Sequence, residues 1–195
     1  MQIKQLIAVL AASLGGLSQA AFADWNVVTD QSEISFMSVK KTTFAETHKL
    51  SNITGGIEDS GQANISIGLA SVETGVPIRN QRMQSMLFNT ERFPTATVSA
   101  QIDSDKLARL QAGQTYAAEL EMELSLAGSK QTEPAMVQVT GLENGRVMVS
   151  TSEPIIVNAG NYELVQGIEK LREVAGLDAI STVVPVTFQL VLDRE

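Results

Sequence analysis

The residues able to do chemistry are few. His48, the only histidine in the chain, follows Glu46 by two positions, and on a strand that spacing puts both side chains on one face. A histidine beside a carboxylate is half of a metal site or of an acid–base pair. A metal site takes about three or four ligands, and no second cluster supplies the rest, so a surface or structural histidine is the plainer reading. Glu119, Glu121 and Glu123 form a carboxylate row, spaced ~7 Å apart along a strand. Glycoside hydrolysis sets two carboxylates across a cleft, whereas a row along one strand reads as a solvated outer face. Arg79, Arg82 and Arg92 against Glu91 leave a local charge of +2 between residues 79 and 92. Arginine offers a planar fork of donors to a phosphate or a carbonyl, and solvated helix-surface charge is the plain alternative. No serine stands in a Gly-x-Ser-x-Gly turn and no glycine-rich phosphate loop occurs. From these residues the expectation is no catalytic residues, no metal site and no cofactor, while an enzyme in which His48 and a carboxylate act on a small substrate stays open.

Strands must position these groups. Ala63, Ile65, Ile67 and Leu69 alternate with polar or small residues, as do Ala96, Val98, Ala100 and Ile102, then Ala118, Leu120, Met122, Leu124 and Leu126, and finally Val184, Val186, Phe188, Leu190 and Leu192. Period-two alternation predicts half-buried strands. The predicted strands are 25–30 and 34–40, one strand with a break at 30–32, then 44–57, 63–73, 95–103, 115–126, 135–140, 147–156 and 184–192. A turn at 58–61 closes the first hairpin, Gly128-Ser129-Lys130 turns the chain again, and Asn144-Gly145 is a hairpin signal.

Residues 71–94 interrupt the alternation. Pro77 suits a first helical position, and Ile78, Met83, Met86 and Leu87 share one helical face, with Arg79 and Arg82 toward the other. One or two turns are expected there. A short turn of helix over 105–110, capped by Ser104, and a helix over 162–175 ending at Gly176 follow. Gly167 inside that helix suggests close packing on the sheet. With short turns and no βαβ rhythm, the fold class is all-β: an antiparallel eight-stranded barrel with two short helical excursions, a sandwich being the alternative.

Lys4, an apolar run and Ala21-Phe22-Ala23 predict a signal peptide over 1–23, cleaved after Ala23 for export to the periplasm. The remaining 172 of 195 residues, 24–195, suit one domain. Losing Lys4 takes the formal charge from −8 to −9, which argues against nucleic acid. No stretch is expected to span a bilayer stably, and the absence of cysteine excludes a disulfide scaffold. A monomer and a homodimer both remain open.

In order and spacing, Ser71-Val72-Glu73-Thr74-Gly75, Arg79, Leu87-Phe88 and Phe93-Pro94-Thr95 resemble the central signature of the YceI-like family of exported bacterial proteins. Trp25, Ser35-Phe36, 126–130 and Pro185-Val186-Thr187-Phe188 match as well. The resemblance implies a lipocalin-like barrel whose bore holds a polyisoprenoid, either a quinone or a polyprenyl phosphate, and it implies no catalysis, so not an enzyme. The chain carries Asn80 where the family often has aspartate, and Lys40-Lys41 where it often has histidine. Expected ligand contacts are Phe36, Ile65, Ile67, Leu69, Arg79, Leu87, Phe88, Phe93, Val98, Leu120, Met122, Leu124, Phe188 and Leu190. Small inward residues and an aromatic share of only 5% favour a cavity over a filled barrel. A filled barrel serving as a protein-interaction module, in envelope stress or redox partnering, is the alternative.

Overall fold

Alternating apolar residues along the strands need a common interior, and closing the sheet on itself supplies one. The computed structural model describes residues 25–41 and 43–194, so the expected signal peptide lies outside the described residues. The strand segments are β1 (Trp25–Val27), β2 (Glu33–Lys40), β3 (Phe44–Leu50), β4 (Ile53–Ile57), β5 (Gln62–Gly68), β6 (Thr95–Gln101), β7 (Thr115–Leu126), β8 (Ser129–Gly141), β9 (Val147–Thr151), β10 (Ile155–Asn158) and β11 (Val183–Arg194). β1, β4, β5, β6, β7, β8, β9 and β11 pair in that order, and β11 pairs back onto β1, with Trp25 opposite Arg194. β2, β3 and β10 continue β1, β4 and β9 beyond short interruptions, so eleven segments form a closed antiparallel barrel of eight strands.

β11 spans both halves of the barrel. Its residues 189–192 pair with β9, while 183–186 pair with β10 and 186–189 with β2. The expected break in the first strand is a 3₁₀ turn at Thr29–Gln31. Thr29 Oγ1 donates to the Ile53 carbonyl at 2.7 Å, and buried Ser32 accepts the Val191 amide at 3.0 Å, so side chains replace the interrupted ladder. The strand expected over 63–73 ends at Gly68, where a 3₁₀ turn takes over at Leu69–Ser71. β8 starts earlier than expected, because Ala127 and Gly128 both have positive φ, 51° and 89°, and make a two-residue turn.

Above the closed ring, the outer edge of β3 carries only an isolated bridge between Lys49 and Glu73. Residues 77–88 stand beside that edge. α1 (Pro77–Arg82) runs directly into a π-helical stretch, Met83–Phe88, which Asn89 ends in the left-handed region at φ 50°. The expected facing is partly reversed: Ile78 is 52% exposed, and Arg79 turns inward. α2 (Ser104–Ala108) is capped by Asp103, which accepts the Lys106 amide at 2.9 Å, not by Ser104. α3 (Val165–Val174) is shorter than the expected 162–175, since Tyr162 ends a separate 3₁₀ turn and Glu163 has φ 57°. Gly167 packs on the π-helical stretch and not on the sheet: a Cβ there would lie 2.7 Å from the Met86 carbonyl oxygen. Among the described residues, no helix is long and apolar enough to cross a membrane.

Candidate functional site

The inward stripes of the strands enclose three connected spaces. The lowest, about 130 Å³, is walled by Ile65, Val98, Leu120, Met122, Phe188 and Leu190 among others. The middle one, about 150 Å³, adds Leu69, Phe88, Ala96, Leu126 and Leu164. Ile34, Ile67, Leu124, Val157 and Val186 line both. Phe36, Leu87, Ile168 and Val184 are shared between the middle space and a third, of about 280 Å³, which forms the mouth. The result is an apolar bore whose two inner spaces β7 lines from Leu120 to Leu126, with the mouth beyond. Below, Glu133 interrupts the apolar wall, its Oε1 accepting a 2.7 Å hydrogen bond from the hydroxyl of buried Tyr162.

The mouth is polar on one side. β2 brings Ser38 and Lys40, β3 brings Glu46 and His48, and α1 brings Arg79 and Arg82. Glu46 Oε2 receives both Lys40 Nζ, at 2.5 Å, and Arg79 Nη1, at 2.8 Å. Arg79 Nη2 donates to the Thr74 carbonyl at 2.6 Å. Asn80 secures the same loop, its Oδ1 accepting from Thr74 Oγ1 at 2.6 Å and its Nδ2 donating to Glu73. The hydrogen bond from Lys40 and the charge of Arg79 hold the Glu46 carboxyl below its ordinary range despite desolvation.

His48 is 2% exposed, packs edge-on to Phe36 with centroids 5.2 Å apart, and shares a 2.8 Å hydrogen bond between Nε2 and Ser38 Oγ. Burial, then the positive charges of Arg79 and Lys40, push its pKa down, against the opposing pull of Glu46. The ring is therefore neutral at neutral pH. Two buried polar atoms of this wall, His48 Nδ1 and Arg79 Nε, have no hydrogen-bond partner. Such atoms carry a desolvation cost until something pairs with them. The arrangement can receive a long apolar body in the bore and an oxygen-bearing head at the mouth.

The structure brings Phe36, Ile65, Ile67, Leu69, Arg79, Leu87, Phe88, Val98, Leu120, Met122, Leu124, Phe188 and Leu190 onto the bore or its mouth. Phe93 lies outside. Its ring sits under the Arg92 guanidinium at 4.9 Å and against Gly128, buttressing the β7–β8 turn. Glu119, Glu121 and Glu123 are exposed on the outer face of β7. Of the expected arginine island, Arg79 and Arg82 reach the mouth. Sequence reasoning missed Lys40, Glu46 and His48 as one wall with Arg79, because β3 and α1 meet only through tertiary packing. It also missed Glu133, although that residue shares the parity of the inward Ala135, Val137 and Val139.

Comparisons with known proteins agree with this geometry. The profile of the YceI-like domain matches residues 25–192. A polyisoprenoid binding domain from Saccharophagus degradans, implicated in plant cell wall breakdown, superposes with a TM-score of 0.87 at 35% identity, covering 89% of this chain and 100% of that one. BcnA of Burkholderia cenocepacia has a TM-score of 0.63 at 18% identity, over 85% of this chain and 98% of its own, a likeness of fold. No curated protein matches the chain.

Proposed function

The chain belongs to the YceI-like family, and we propose that it is a non-enzymatic carrier of a polyisoprenoid lipid, its tail in the bore and its head at the mouth. The observation that carries this reading is the unbroken series of apolar spaces ending at a polar wall with two unpartnered atoms. The similarity to a polyisoprenoid binding domain at 35% identity supports it. Each buried methylene contributes about 0.8 kcal/mol, so a long tail binds tightly with few polar contacts, and selectivity among tails is loose. The head is a quinone or a polyprenyl phosphate. The protein acts in the periplasm after cleavage behind Ala23, as a monomer or a homodimer.

Mass spectrometry of an organic extract from protein purified without detergent tests the reading. A stoichiometric isoprenoid species is expected. Leu120→Glu, which puts a carboxylate into the bore, abolishes retention, while Glu121→Gln on the outer face leaves it unchanged. Equal retention by both variants, or an empty extract even after incubation with quinone-containing vesicles, would replace the carrier with a protein-interaction module.

A further inference from the structure

Resting on the carrier reading, we infer that the rim of the mouth is a docking surface for a phospholipid bilayer. Eight large apolar side chains of the described residues are exposed, and five of them ring this one opening: Met37 (36%), Phe44 (54%), Val76 (41%), Ile78 (52%) and Val174 (45%). Four of the five line the mouth itself, and Phe44 lies beneath Lys40, whose Nζ is 5.0 Å from its ring centroid. They come from β2, β3, the residue that precedes α1, α1 itself and α3, so no single amphipathic element accounts for the clustering.

The rim leads into the bore without a polar break on its apolar side, through Met83, Leu87 and Ile168 to the middle space. That continuity selects the occupant. A lipid whose every methylene costs about 0.8 kcal/mol in water reaches the bore most readily where bilayer and bore share one apolar surface. The charge balance is compatible. Lys40, Arg79 and Arg82 line the mouth against Glu46 alone, in a chain of formal charge −8. Of the nearby acids, Glu169 and Glu173 share the single Arg172, at 2.6 and 3.7 Å, and Glu73, bonded to the neutral Gly75 amide and Asn80, keeps its charge, so the cationic part of the rim is the wall of Lys40, Arg79 and Arg82. Cations beside exposed aliphatic side chains suit an interface containing anionic headgroups.

The test is sedimentation of the purified protein with vesicles of phosphatidylethanolamine and phosphatidylglycerol that contain no isoprenoid. Wild type is expected in the pellet. The double variant Val76→Asp, Ile78→Asp reduces partitioning roughly tenfold, the order expected when a small apolar anchor is made charged. Ile156→Asp, at an isoleucine equally exposed (56%) but away from the mouth, leaves partitioning unchanged. All three positions are exposed, and unchanged circular dichroism verifies folding. Wild type remaining in the supernatant, or equal losses at the rim and at Ile156, would overturn the proposal. Because the vesicles carry no cargo, failure of docking appears in the pellet and failure of the carrier reading in the lipid extract.

Discussion

The hydroxyl of Tyr162, on the turn before α3, donates a 2.7 Å hydrogen bond to Oε1 of Glu133 on β8, with both side chains buried. This contact ties the turn that follows β10 to the strand beside β9. Tyr162→Phe removes the donor and leaves the carboxyl in an apolar wall, so a loss of about 1–3 kcal/mol is expected, read from the urea midpoint. Burial, then the hydrogen bond and charge of Glu133, hold the Tyr162 phenol above its ordinary value. A group whose pKa is raised on folding stabilises fully below its unfolded pKa. Wild type therefore loses stability as pH rises past about 10, a decline that Tyr162→Phe lessens.

His48 has the opposite sign. Its pKa is lowered in the folded protein, chiefly by burial, so its contribution is present above the unfolded value of about 6.5 and lost as pH falls. Glu46 and Glu33, also lowered, begin to lose theirs only near their ordinary value of 4.5. Since His48 is the sole histidine, one imidazole resonance reports the titration directly. Its midpoint is expected below 6.5, and His48→Gln should flatten the thermal midpoint between pH 7 and pH 5.

Gly167→Ala tests the approach of α3 to the π-helical stretch. Alanine gains about 1 kcal/mol in helix propensity. Its methyl, however, would stand 2.7 Å from the Met86 carbonyl oxygen and 2.9 Å from Leu87 Cα, both backbone atoms. Overpacking of this kind costs about 1–3 kcal/mol, so net destabilisation is expected by thermal melting, together with weaker isoprenoid retention as Leu87 is displaced from the bore.

The alternation at Ile65–Ile67, Leu120–Leu124 and Phe188–Leu190 was enough to place the bore, because strand parity fixes which face is buried. The barrel itself was legible from eight such runs and the turns between them. The polar wall was not. Glu46 and His48 share a face of β3, yet their meeting with Arg79 depends on α1 folding back across an unpaired sheet edge, which no local pattern encodes. The helix facing failed at Ile78 for a simpler reason: at about 100° per residue Leu87 lies half a turn round from Ile78, while Arg79 falls on the arc of Met83, Met86 and Leu87. Phe93 failed because an apolar residue before proline can cover a turn as readily as enter a core.

The interruptions between β1 and β2, β3 and β4, and β9 and β10 gather on one outer belt, where Thr29, Ser32, Ser51, Asn52 and Thr151 adjoin. Below that belt every strand is paired around a full ring, while above it β3 ends at an edge backed by helices. The two ends should therefore differ in stiffness. Loading a bulky chain can spread the upper collar by rocking short segments about the belt, leaving the ladders of the lower cup intact. A carrier of this build is expected to dilate at the collar and not at the cup.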